Sequence, residues 1–341
     1  MNVALLQQAG QQVQLWPRTL LLSHDRPDGD AYGAMAAMWR VITAAGRQAT
    51  ACIYGDCLPR YAFLTESCPF ERCPLHDPAQ MDAGYDGILI VDTGSWSQLE
   101  PAADYLRASR LPRIVLDHHA TWDALDGQGT TAIYAGDASS ASACGLLFDW
   151  CRLMNWPIDQ TTAEDLFVGI ATDTGWFRFS NTDDRTLTAA AQLLRLGVKA
   201  DMLYARLYES WTPARLRLKA LLLATLQLHA EGRVAGMILT PDMLQVAGAT
   251  PADCEELINE PMAAAQVVAS VLFNVLEDGR VRVNLRSKSP EVCGRDVDVS
   301  ALAKELGGGG HRRAAGVRVA GPLERAQNEI LPKLIAAVTS G

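Results

Sequence analysis

The stretch RIVLDHHAT, Arg113 to Thr121, decides the architecture. A short apolar run ends abruptly in one carboxylate and two imidazoles. A run of this length and bounding reads as a buried strand. A carboxylate directly after it stands where an open α/β sheet delivers side chains to the crevice beyond its strand ends. The pattern repeats along the chain. ILIVDTGS places Asp92 after a second apolar run, and SHDRPDGDAYG places His24, Asp28 and Asp30 after a third. VGIATDTGWFRFSNT carries Asp173 in the same way.

Working outward, residues 1–15 read as a helix and Thr19–Ser23 as a strand. Ala31–Gly46 reads as a helix with Met35, Met38, Trp39 and Ile42 at helical spacing. Ala49–Tyr54, Asp86–Val91 and Arg113–Leu116 are further strands. Ser139–Leu153 is a helix opened by a serine-rich cap, and Ala163–Thr172 is a helix leading into Asp173. This alternation predicts an α/β fold over residues 1–190, a mostly parallel, doubly wound sheet with helices on both faces. Two or three helices between Arg185 and Leu228 form a helical linker, placed at 191–230. A smaller α/β domain follows at 231–341. Its signals are a strand at Arg233–Leu239 and a hairpin, Gln266–Leu276 with Arg280–Arg286, turning at Glu277-Asp278-Gly279. A helix at Val299–Leu306 and a closing helix at Leu323–Val338 complete it.

At 341 residues, with 49% hydrophobic and 20% charged side chains, the chain can build two separate cores. The net charge of −9 excludes a basic nucleic-acid coat. Charge is nevertheless uneven. Between Arg280 and Arg318 stand nine Lys/Arg and four acids, which points to an anionic ligand of limited length and away from a long duplex. No segment reaches the roughly 18 consecutive apolar residues of a membrane helix, and the N-terminus lacks the layout of a signal peptide. A cytoplasmic protein with no membrane partner is expected. Its eight cysteines then stay reduced. Cys52, Cys57, Cys68 and Cys73 form two Cys-x4-Cys pairs, but the spacing is too long for a tight zinc knuckle. They read as buried or loop thiols.

The acid and imidazole motifs together make chemical sense as one centre. Two divalent ions about 3.5–4 Å apart clamp the attacking and leaving oxygens of a phosphoryl displacement. Such closeness requires a bridging carboxylate. Solvent between the ions loses a proton near neutral pH and becomes the nucleophile. Carboxylates with one or two imidazoles suit manganese, with magnesium or cobalt as alternatives.

HDRPDGDA, VDTG, LDHHAT and ATDTG, in this order, resemble the DHH phosphoesterases. GGGGHRRAAG at Gly307–Gly316 resembles their DHH-associated C-terminal domain. The resemblance is strongest to the stand-alone bacterial branch that degrades very short RNA and dephosphorylates pAp. It implies that His24 and Asp28 hold one metal, that Asp30, His118 and Asp173 hold the other, and that Asp92 bridges them. His119 would face the substrate phosphate and protonate the leaving group, and Asp117 would orient the histidine pair. Asp25, an extra carboxylate beside His24, is expected behind the ligands or in solvent. Gly308, Gly309, Gly310 and His311 would bind substrate, the glycines by letting backbone N–H groups approach it. Arg286 would hold a terminal phosphate or a base, and Arg178 and Asn181 would contact the scissile side.

The implied activity is hydrolysis of short oligoribonucleotides to 5′-mononucleotides and of pAp to AMP. Substrate held by both domains would make the cleft width a ruler for length. Hydrolysis of cyclic dinucleotides is the alternative within the family. A non-catalytic nucleotide sensor is the alternative outside it, although all six ligand positions are filled. Pyrophosphatase chemistry would require lysine-rich phosphate motifs in place of GGGGH, and a processive exonuclease would require further domains. The expected partners are short oligonucleotides and small phosphorylated nucleotides. A homodimer is compatible with the sequence.

Overall fold

The computed structural model describes residues 2–55, 57–66, 68–72, 78–254 and 256–339, with Pro78 and His311 described by their backbone alone. Cys73 lies outside the described residues, as does the side chain of His311. The chain divides into two compact units, Met1–Ser210 and Trp211–Gly341. The division falls inside the segment expected as a linker. That segment is shared out: its first helices pack on the first core, while Leu218 and Leu222 enter the second.

The first unit runs α1 (Val3–Gln14), β1 (Arg18–Leu22), α2 (Gly29–Ala44), β2 (Gln48–Ile53), α3 (Ala62–Thr65), β3 (Phe70–Arg72), α4 (Pro78–Gly84) and β4 (Gly87–Val91). It continues with α5 (Ala103–Ala108), β5 (Arg113–Leu116), β6 (Ile133–Tyr134), α6 (Ala143–Leu153), α7 (Gln160–Asp173), α8 (Asp184–Arg195) and α9 (Ala200–Tyr208). All six strands pair in parallel, in the order β3-β2-β1-β4-β5-β6. Alternate residues feed two cores. Leu21, Leu89, Val91, Ile114 and Leu116 face α1, α2, α6 and α7. Leu20, Leu22, Ile88, Ile90 and Val115 face the α5 side. A parallel sheet covered on both sides explains the continuous apolar runs that the sequence shows. The chain winds outward in opposite directions from β1 and from β4, so the topological switch point lies between those neighbours.

The second unit runs α10 (Pro213–Leu223), β7 (Gln227–His229), β8 (Val234–Leu239), α11 (Pro241–Ala247), a 3-10 segment (Leu257–Ala263), β9 (Ala269–Val275) and β10 (Val281–Ser287). It ends with α12 (Pro290–Cys293), α13 (Val299–Glu305), β11 (Gly309–His311), β12 (Ala314–Val319) and α14 (Leu323–Thr339). Its sheet order is β11-β12-β10-β9-β8-β7, antiparallel except for β8 beside β9. Among the described residues, no helix is long and apolar enough to cross a membrane.

Candidate metal centre

Three loops at the C-terminal ends of β1, β4 and β5 meet at the switch point, and a helix end joins them. His24 follows β1 and Asp92 follows β4. Asp117, His118 and His119 follow β5. Asp173 is the last residue of α7, at the end of the helix expected over Ala163–Thr172. The Asx-capped start of α2 supplies the rest. Asp28 is its N-cap, with Oδ1 accepting the N–H groups of Asp30 and Ala31 at 3.0 and 3.2 Å.

Asp92 stands between two ligand groups. Its Oδ2 is 3.5 Å from His24 Nε2, and its Oδ1 is 3.5 Å from His118 Nε2. On the first side, donor atoms of His24, Asp28 and Asp92 lie within 4.8 Å of one another. On the second side, donor atoms of Asp30, His118 and Asp173 do the same. His118 Nε2 is 3.9 Å from Asp30 Oδ2 and 3.6 Å from Asp173 Oδ2. Asp92 holds a left-handed backbone (φ 60°) that aspartate tolerates better than most side chains do.

The surroundings fix these groups. Asp30 is buried, and its carboxylate accepts the Ala143 N–H at 2.6 Å and the Cys144 N–H at 2.9 Å, the first amides of α6. A helix N-terminus favours a carboxylate there. Ser142 caps α6 and starts the helix at Ala143, later than the serine-rich run predicts. His118 Nδ1 faces the Ser140 carbonyl at 3.3 Å, leaving Nε2 toward the carboxylates. Asp117 is fully buried. Its Oδ1 accepts from His118 N (2.8 Å), His119 N (3.2 Å) and His119 Nδ1 (2.7 Å). Its Oδ2 is buried with no hydrogen-bond partner among the described residues.

Electrostatics reflect crowding. Burial and the neighbouring carboxylates Asp92 and Asp28 push Asp173 up to about 6. Burial and Asp92 raise Asp28, and burial with Asp92 and Asp173 raises Asp30 well above the carboxylate range. Burial opposes the His118 cation, but Asp92, Asp30 and Asp173 outweigh it and push the imidazole up to about 10. Asp92 is driven down despite its burial, by His118 and His24. Asp117 raises His119.

Four carboxylates facing two imidazoles leave negative charge uncompensated, and the donors are hard oxygens with imidazole nitrogens. This set fits divalent cations of the manganese or magnesium type. Among the described residues, the ligand groups include no cysteine. Cys52 and Cys68 are buried and Cys57 is half-buried, in keeping with thiols that fill the core.

The other expected site residues are placed as follows. Asp25 joins none of the ligand groups and lies 3.7 Å from Arg26 Nε. Asn181 Nδ2 donates to the carbonyls of Ala141 (3.1 Å) and Asp173 (3.2 Å), so it braces the loop, and its Oδ1 accepts no hydrogen bond among the described residues. Arg178 Nε donates to the Gly175 carbonyl at 2.8 Å. In the second unit, Arg286 is half-buried and its Nη1 donates to the Leu285 carbonyl at 3.2 Å. A side chain at Gly308 would meet the Gly316 carbonyl, and one at Gly310 the Ala314 carbonyl at 2.5 Å. Gly309 opens onto free space.

Sequence reasoning missed the amides of Ala143 and Cys144 and the carbonyl of Ser140, whose only trace was the serine-rich cap. It also missed Gly169. A Cβ at Gly169 would press on Cys144 Sγ and stand 2.5 Å from Asp30 Oδ1. Gly169→Ala is therefore expected to cost about 1–3 kcal/mol by overpacking and to weaken metal binding by displacing Asp30. Denaturant midpoints and metal titration check this, and an unchanged value of both would refute it.

Comparison with known proteins completes the picture. Residues 18–170 match the DHH family, N-terminal domain, and residues 242–340 match the DHHA1 domain. The bifunctional oligoribonuclease and PAP phosphatase NrnA of Bacillus subtilis is 25% identical over 312 residues, which is 90% of this chain and 91% of that protein. The protein of the same name from Thermus thermophilus is 28% identical over 315 residues, 91% of this chain and 87% of its own. The solved structure of an exopolyphosphatase-related protein from Bacteroides fragilis shares the fold, with a TM-score of 0.86 over 97% of this chain and 95% of that one, at 21% identity.

Proposed function

The chain belongs to the DHH family of phosphoesterases, and from that premise we propose that it hydrolyses short oligoribonucleotides to 5′-mononucleotides and pAp to AMP, using two manganese ions. The observation that carries this reading is Asp92, whose two oxygens face two separate imidazole–carboxylate groups. His24 and Asp28 would hold one ion, and Asp30, His118 and Asp173 the other. The NrnA proteins named above, matched along about nine-tenths of the chain, support the substrate class.

A divalent pair held there supplies Lewis acidity, polarising a phosphoryl oxygen and lowering the pKa of water. The chain's own groups do the rest. His119 is exposed, and its Nδ1 donates to Asp117 Oδ1. Its Nε2 is thereby free to pass a proton to the leaving ribose or nucleoside oxygen. Asp117 keeps that ring oriented and favours its cation. Arg178 and the Oδ1 of Asn181 would contact the scissile nucleotide. Arg286, His311 and the amides of Gly308, Gly309 and Gly310 would hold the substrate on the second unit.

Product analysis tests the reading. The purified protein with manganese is offered a labelled RNA ladder of two to about twenty nucleotides, pAp and cyclic-di-AMP. Mononucleotides released fastest from chains of two to about five, together with AMP from pAp, are the expected outcome. Rates climbing steadily with length, or cleavage confined to the cyclic dinucleotide, would overturn it.

A further inference from the structure

The sheet of the second unit has one face that its helices leave partly open. Along β10 the burial alternates: Val281, Val283 and Leu285 turn inward to the core formed with α13 and α14. Arg282, Asn284 and Arg286 therefore share the opposite face. The register extends that face into three rows. Arg282 lies between Asn274 of β9 and Arg318 of β12. Asn284 lies beside Gly316, which in turn lies beside Gly309 of β11. Arg286 lies beside Ala314, and Ala314 beside His311.

Two arginines directly opposite each other on neighbouring strands repel, an arrangement that destabilises a sheet. Both Arg282 and Arg318 are exposed, and among the described residues neither guanidinium makes a hydrogen bond or an ion pair. Nearby cations are treated differently: Arg280 pairs with Asp278, and Arg312 and Arg313 pair with Asp296. An unneutralised cross-strand pair is a ready receptor for an anion.

The spacing says which anion. Arg286 lies four steps along the strand from Arg282, about 13 Å at ~3.3 Å per residue. Between them Gly309 and Gly316 form a floor without side chains, bordered by the Asn284 amide. A Cβ at Gly309 would meet nothing within 4 Å. Cations at both ends and a flat neutral floor between suit a chain whose charges are spaced by uncharged ribose and base. A chain charged at every step would set charge over the floor, where no cation lies.

We propose that this face is a track for a single-stranded oligonucleotide, in which Arg282 and Arg318 take a backbone phosphate beyond the nucleotide held near Arg286. This rests on the oligonucleotide reading above and extends it to substrates longer than a dinucleotide.

The test is anisotropy binding of the full-length, manganese-loaded protein to phosphorothioate-linked RNA of two and five nucleotides, at two salt concentrations. Arg282→Ala/Arg318→Ala should weaken pentanucleotide binding about tenfold or more. It should also flatten the logarithmic salt dependence by about 0.7 for each phosphate no longer neutralised, with a smaller effect on the dinucleotide. Arg325→Ala/Lys333→Ala, on α14 behind the opposite face, removes the same charge and should change neither. Four outcomes would overturn the track: no change in pentanucleotide affinity, an equal loss for the dinucleotide, an equal loss in the control pair, or inorganic polyphosphate binding tighter than RNA. Turnover is measured in parallel on phosphodiester RNA. Wild-type protein that binds through these arginines but releases no mononucleotide would refute the hydrolytic reading and leave the track standing.

Discussion

Asp92→Asn is expected to abolish turnover on short RNA and on pAp alike, while the protein still folds. The carboxylate is buried, and each of its oxygens faces a different imidazole. Removing its charge removes the one group shared by both proposed metal positions. The loss should exceed the ~10–100-fold that follows loss of a partner behind a metal ligand. Asparagine is the informative substitution because it keeps the shape and tolerates the left-handed backbone at this position (φ 60°). Asp92→Ala should lose as much activity and also about 1 kcal/mol or more of stability from the backbone. Steady-state kinetics with metal analysis and thermal melts separate the two effects. Near wild-type kcat/KM in Asp92→Asn would refute the bridging role.

His119→Ala is the second large effect, a fall of about 10²–10⁴ in kcat with metal content unchanged. Its neighbour His118 turns Nε2 into the carboxylates, whereas His119 is exposed and its ring is held to Asp117 through Nδ1. A proton donor matters most when the leaving group is poor. A p-nitrophenyl ester, which leaves without protonation, should therefore lose far less than RNA does. Equal losses on both substrates would assign His119 a positioning role.

Much of the fold was legible because its signals are local. The apolar runs at Ile88–Val91 and Arg113–Leu116 are strands buried on both faces, and Met35, Met38 and Ile42 lie on the buried side of α2. The hairpin around Glu277-Asp278-Gly279 joins β9 to β10. Other features have no local signal. β3 and β6 are only three and two residues long, and pairing with longer neighbours is what makes them strands. The helix ending at Asp173 was legible over Ala163–Thr172, but the arrival of its carboxylate beside His118 depends on the packing of α7 against α2. The side chains that converge on Asp92 stood out by residue type and motif. The amides of Ala143 and Cys144 that hold Asp30 did not, because they lie more than a hundred residues away along the chain and act through backbone groups. The open face of the second sheet was invisible for a similar reason: Arg282 and Arg318 become neighbours only through strand register.

The proposed pairing of two ions across Asp92 is tested most directly by metal titration of the chelator-stripped protein, with manganese counted per chain by elemental analysis. In the metal-free site Asp92, Asp30 and Asp173 outweigh burial and push His118 up to about 10, which favours a protonated ring through pH 6–8. Binding must displace that proton, so affinity should rise with pH across this range. The predicted result is two manganese ions per chain at saturation, tighter at pH 8 than at pH 6.5, with Asp92→Asn retaining one or none. Saturation at a single ion in the wild type, or full turnover in excess chelator, would contradict it.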